Sequence, residues 1–132
     1  MDRLTQRTAD APALLVAAAL MITSGVVHLH LWDIAYRHVA TLGPLFLVQT
    51  IAALVAAVVL ATTRLVIILL GSAALMLGTV VGFLLADTVG LFGFTLPEVT
   101  QWAYLALASE LLSVAIVATV LFRHFRHPSA SP

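Results

Sequence analysis

Four long apolar runs set the limits on this chain: 11–32, 39–63, 65–86 and 99–122, each bounded by charged or turn-forming residues. The first three contain no Asp, Glu, Lys or Arg, and the fourth is broken only by Glu110. A helix rises about 1.5 Å per residue, so roughly 20 apolar residues cross the hydrocarbon core of a bilayer, and each run is long enough. Spanning segments must satisfy their backbone hydrogen bonds internally, and these runs far exceed a barrel strand. The expected fold class is therefore all-α: a polytopic membrane protein folded as an antiparallel four-helix transmembrane bundle. Its spans are expected at about 11–32, 44–62, 65–86 and 100–122, within a membrane domain of 11–122. A cytoplasmic segment, 1–10, is expected before it and a cytoplasmic, disordered tail, 123–132, after it.

Composition narrows the chemistry. Hydrophobic residues make up 62% of the chain and charged residues 9%, against roughly 45–50% and about 25% in ordinary soluble domains. A formal net charge of zero and the lack of a basic block exclude nucleic acid as an expected partner. With no cysteine, disulfides, thiolate catalysis and thiolate metal sites are excluded. The first run is longer than the apolar core of a secretory signal. It ends in His28, His30, Trp32 and Asp33 rather than a small-residue cleavage site, and so reads as a mature span.

The arginines give the orientation. Arg3, Arg7, Arg64, Arg123 and Arg126 fall on one side of the four runs and only Arg37 on the other, beside Asp33, Asp87 and Glu98. Because segments retained in the cytoplasm carry the excess of Lys and Arg, both termini are expected inside a bacterial plasma membrane. Trp32, Tyr36, Trp102 and Tyr104 then form an expected aromatic belt at the outer interface. His124 and His127, between and beside Arg123 and Arg126, read as an anchor at anionic headgroups.

Local punctuation fixes the connections. Asp10 followed by Ala11 and Pro12 has the form of a capped helix start, and Gly43–Pro44 opens the second span similarly. The connection Ala61-Thr62-Thr63-Arg64 is short enough to force an antiparallel hairpin. The loop from Asp87 to Thr100, with Gly90, Gly93 and Pro97 among apolar residues, is expected in the outer interface or folded back over the bundle.

A carboxylate within a spanning helix is costly, so such a residue is expected to face the bundle or a water-filled cavity. Helical spacing puts Glu110 on a face with Ala103, Ala106, Ser113 and Val114, Gln49 with Ala52, Ala53 and Ala56, and His28 with Met21, Ser24 and Gly25. Span three offers Ala74, Gly78 and Gly82, a small-residue ladder of the kind that lets membrane helices pack closely or meet between protomers. Counting from the outer end, His28, Gln49 and Glu110 lie at roughly 6, 8 and 12 Å depth. They are expected to form a buried polar cluster, with Ser24 and Ser113 as supporting partners, able to bind a proton or a small polar ligand. A His28–Glu110 pair sharing a proton would titrate as a unit. The alternative for Gln49 and the serines is interhelical hydrogen bonding, worth about 0.6 kcal/mol each.

His30, Asp33 and His38 make a second, shallower group and a weak metal candidate, suited to Zn or Cu if loop carboxylates join it. His28 and His30 are two apart and point to nearly opposite sides of one helix. Spans two to four contain no histidine to complete a bis-histidine haem site, and no cofactor is expected.

The motifs Gly25-x-x-His28-Leu29, His38, Gly43-x-Leu45-Phe46 leading to Gln49, Thr88-x-Gly90-Leu91-x-Gly93, Glu98 and Glu110 resemble those of small four-helix integral membrane proteins common in actinobacteria, broadly DoxX-like in size and topology. The resemblance covers about 24–122 and implies the four-span fold, with His28, Gln49 and Glu110 on positions of the family's pattern. It implies no established activity. Asp87 and Phe92 stand where that pattern has an arginine and a proline, which removes the basis for an anion-binding loop.

Three functions remain as expectations. The first is a non-enzymatic membrane protein that binds or moves a proton or small polar solute at the buried cluster, in a homo-oligomer or a membrane complex. The second is a redox accessory protein handling a quinone or metal through His28, His30, Asp33 and His38. The third is an assembly subunit for which the cluster is only packing.

Overall fold

The computed structural model describes residues 3–126, with side chains from Ala9 onward. Of the expected disordered tail, residues 123–126 instead continue the last helix, and His127 onward lies outside the described residues. The described residues form four α-helices: α1 (Arg3–Leu31), α2 (Leu42–Thr63), α3 (Val66–Thr88) and α4 (Gln101–Arg126). A π-helical turn, Trp32–Tyr36, extends α1. All four helices are long and apolar enough to cross a membrane, and the chain is a multi-pass, all-α four-helix bundle. Apolar side chains such as Ile51, Val55, Ile67 and Leu112 are exposed on the outside of the bundle, where acyl chains cover them at no cost.

Each helix buries one seam whose members are alternately three and four residues apart. On α1 it runs Leu14, Ala17, Met21, Ser24, His28, Leu31; on α2 Thr50, Ala53, Ala57, Leu60; on α3 Leu69, Ser72, Met76; on α4 Ala106, Glu110, Ser113, Val117, Val120. This is the spacing of coiled-coil packing. The helices pack in a ring in which α1 touches α2 and α4, and α3 touches α4 and, most thinly, α2. At the end of the bundle carrying the termini, Leu14, Ala17, Met21, Ala57, Leu60, Leu69, Met76 and Val117 close into one apolar core.

Several expectations are corrected. The helix does not start at Asp10: α1 is already helical from Arg3 and Pro12 lies inside it. Proline removes a single hydrogen bond there, and the carbonyl it frees lies near the end of a span, within reach of the aqueous boundary. The Asp10 carboxylate, instead of capping, sits 3.3 Å from Arg123 Nη1 on α4. On α2 the buried face centres on Thr50, Ala53 and Ala57; of the expected Gln49, Ala52, Ala53 and Ala56, Ala53 is on it and the other three lie at its edge. On α3 the ladder does not pack against another helix of the bundle: Ala74 and Gly78 are exposed, and a Cβ added at Gly78 would meet nothing within 4 Å.

The turn between α2 and α3 is as short as the sequence requires, with Arg64 left-handed (φ 53°) between the two helices. At the opposite end, Thr100 accepts from the Ala103 N–H (3.3 Å) to cap α4. The loop before it doubles back: Leu91 and Phe94 pair through two backbone bonds, and the Leu96 N–H donates to Ala86 O at 3.0 Å. Gly43 lets α2 begin against the π turn, since a Cβ there would fall 2.8 Å from Tyr36 O.

Candidate functional site

The seam positions of α1 and α4 carry polar groups in the half of the bundle near the long loops. Glu110, 2% exposed, faces α1, where Ser24 is fully buried. Ser24 Oγ donates to Glu110 Oε1 at 2.7 Å. One turn along, His28 Nδ1 lies 2.9 Å from the Ser24 carbonyl and 3.4 Å from its hydroxyl. A carbonyl only accepts, so Nδ1 carries the hydrogen, and the Ser24 hydroxyl keeps its own proton for Glu110. The direct His28 Nδ1 to Glu110 Oε1 separation is 3.9 Å, within ion-pair range but too long for a hydrogen bond. Ser24 is therefore the hinge of the group and connects the acid to the imidazole. With Nδ1 committed to the backbone, Nε2 is the imidazole nitrogen left for a guest.

The other expected members sit differently. Ser113 Oγ donates to the backbone carbonyl of Glu110 (2.8 Å), not to its carboxylate. Gln49 makes no bond to His28 or Glu110: its Nε2 is buried without any hydrogen-bond partner. The α1–α2 contact is made instead by Thr50, whose hydroxyl is shared between Gly25 O (3.1 Å) and Phe46 O (2.9 Å). The helices approach closely at Gly25, where a Cβ would lie in van der Waals contact with Ala53 and the Thr50 carbonyl at 3.4 Å.

What brings Gln49, His28 and Glu110 together is a cavity of about 440 Å³ whose wall they share. All four helices and the 89–100 loop line it, mostly with apolar side chains such as Leu31, Leu45, Leu75, Phe83 and Leu107. Its volume lies in the range typical of small-molecule sites, as does the combination of apolar walls with a few convergent polar groups. Toward the loops an aromatic chain covers it. His28 lies 5.1 Å from Phe46, Phe46 stacks on Tyr36 at 4.5 Å, and Tyr36 meets Phe94 edge-on at 5.6 Å. Tyr36 is thus a roof residue as well as an interfacial one, because the π turn swings it over α2. Toward the termini the apolar core closes the space.

The shallow group does not converge. His30 packs edge-on against Trp102 at 4.6 Å, Asp33 pairs with Arg37 at 3.6 Å, and His38 Nε2 accepts from Arg37 Nε at 3.1 Å. Among the described residues no three His, Cys, Asp or Glu side chains are placed to hold a metal ion, and His30, Asp33 and His38 each make a separate contact. Ala74, Gly78 and Gly82 line the cavity rather than a helix contact. Sequence reasoning missed Thr50, Phe46 and Phe94. The spacing of Phe46, Thr50, Ala53, Ala57 and Leu60 at alternate threes and fours was the signal that could have found the first two.

Fold and site together define a multi-pass membrane protein with a polar-ended cavity inside one half of its bundle. Comparison with family models, with curated proteins and with solved structures found no match to this chain.

Proposed function

We propose that this is a non-enzymatic plasma-membrane binding protein, with its termini in the cytoplasm, whose cavity holds a small guest by a polar end. One observation supports this reading most: the Gln49 amide nitrogen is buried without a protein partner in the wall that also carries Glu110. Leaving a buried donor unpaired costs about 1–3 kcal/mol, and a guest with an acceptor atom removes that cost. Ser24 holds the Glu110 carboxyl in place, so the site is ordered before anything binds. Holding is favoured over passing, because the described core between the cavity and the terminal end is mainly apolar, with Ser72 its buried polar exception on α3. All walls of the cavity come from one chain, so a second copy is not needed to complete it.

The test uses the protein purified from its own membranes. Native mass spectrometry of the wild type is expected to retain a non-covalent small molecule that Gln49→Leu and Glu110→Leu lose. Gln49→Leu is also expected to stabilise the empty protein by about 1 kcal/mol, since an unpaired amide is replaced by an apolar group. A Gln49→Leu protein that is less stable than the wild type, with no retained mass in either, would identify Gln49 as packing alone and favour the assembly-subunit reading.

A further inference from the structure

We infer that the cavity is filled sideways from the bilayer, between α2 and α3, by a neutral lipophile ending in a hydroxyl group. The inference rests on the guest-binding reading and specifies the guest. The two helices are tied at Arg64, and nearest that turn Ala57, Leu60 and Leu69 belong to one apolar core. Farther along, the cavity lies between them. Its wall there includes residues exposed on the outer surface: Val48, 59% exposed, on α2, and Ala74 and Gly78 on α3. Gly78 lies ten residues inside the loop end of α3, which is about 15 Å of helix. At that depth the surroundings are hydrocarbon, not water. The empty space in front of Gly78 is therefore a side window onto acyl chains, while the aromatic cover of Phe46, Tyr36 and Phe94 closes the face toward the loops.

A molecule entering by that window arrives from the lipid phase with its chain along Val48, Leu75 and Phe83 and its end against the polar groups. Gln49, whose Nε2 has no protein partner, and Glu110 both line the cavity and offer a donor and an acceptor from its wall. A hydroxyl satisfies both at once, since it accepts from one and donates to the other. A phosphate or carboxylate end would be set against an acidic residue, and a plain hydrocarbon end would leave the amide unpaired.

The full-length protein in phosphatidylcholine nanodiscs can be photolabelled with two probes: dodecan-1-ol carrying a mid-chain diazirine, and dodecane carrying the same group. Labelled positions are then mapped by mass spectrometry. The alcohol is expected to label Leu75 and Phe83 in addition to lipid-facing Val48, Ile51 and Ile67. Unlabelled dodecan-1-ol should lower only the first set, by about tenfold. Gly78→Phe and Ala74→Phe, each of which places a ring in the window, should do the same. The competition arm needs no variant, so it stands even if neither folds. Three results overturn the inference. Equal labelling of the cavity by the dodecane probe removes the hydroxyl end. Cavity labelling unaffected by both phenylalanine variants, when they are folded, removes the side window. No cavity labelling by either probe, in a protein that still retains a small molecule dependent on Gln49 and Glu110, shows a guest of another class and leaves the guest-binding reading intact.

Discussion

The two halves of this bundle are made by the same four helices and contrast in how they use them. Near the termini, the seams carry Leu14, Met21, Leu60, Leu69, Met76 and Val117, all at 3% exposure or less, and close into a continuous apolar contact. Near the long loops the same seams continue with Ser24, His28, Thr50 and Glu110, and a cavity of about 440 Å³ separates α2 from α3. Lipid tails are as apolar as leucine, so neither half is held by exclusion from water; close packing and interhelical hydrogen bonds must do it. The terminal half uses the first and holds the bundle together. The loop half uses the second, sparsely, and gives up packing to make room. Stability and binding are thus segregated along the helix axes, and the polar groups can be arranged for a guest because the fold does not depend on filling the space around them.

This contrast predicts its own breaking points. The largest effect belongs to the terminal half, where Leu60→Ala should cost about 2–5 kcal/mol from lost contacts and the cavity left behind, measured by reversible unfolding in mixed micelles. Gly78→Leu, which adds four carbons on the other side of the contrast, should cost less than about 1 kcal/mol, because nothing lies within 4 Å of its Cβ position. Equal losses for the two would erase the distinction between a packed half and an open one. An intermediate effect is expected for Ser24→Ala. It strips the donor from Glu110 Oε1 and should destabilise by about 1–3 kcal/mol, while the same change at Ser113, which bonds only a backbone carbonyl of its own helix, should cost less. If the two serines weigh the same in unfolding measurements, Ser24 is not the link between acid and imidazole. The smallest effect is at the terminal end itself. The Asp10–Arg123 pair has one largely exposed partner, so Arg123→Ala should cost at most about 1 kcal/mol and less at high salt. A larger, salt-insensitive loss would show that this pair, and not the apolar seam, ties α1 to α4.

The spans were legible because length and apolarity alone decide them, and the α2–α3 turn because four residues leave no other path. The side of α4 that faces inward could be read from Glu110, since one ionisable group on an otherwise apolar helix fixes the direction. The rotation of α2 could not be read the same way. Alanine stands at 52, 53, 56 and 57, so two adjacent faces carry equally small stripes, and Gln49, the polar residue that favours one of them by spacing, borders a cavity rather than a neighbouring helix. Thr50, the residue on the contact face, looks ordinary in sequence because threonine can satisfy its hydroxyl on its own helix. The ladder on α3 misled for a related reason: small residues permit close approach but do not demand it, and here they border empty space. Asp10 and Pro12 imitate a helix start because a cap signature is local, whereas the partner of Asp10 lies 113 residues away on α4.

The π-helical turn makes chain length, rather than residue identity, the sensitive property at 32–36. In that turn the Arg37 N–H reaches back five residues to Trp32 O, so one extra residue is stored where an α-helix would have none. Deleting a residue there would close the wide turn into an ordinary α turn and shift Tyr36 along it. That carries the Tyr36 ring away from Phe46 and uncovers the chamber beneath it. Within the stretch the Tyr36 ring is the one that meets Phe46 and Phe94, and the width of the turn is what carries it there.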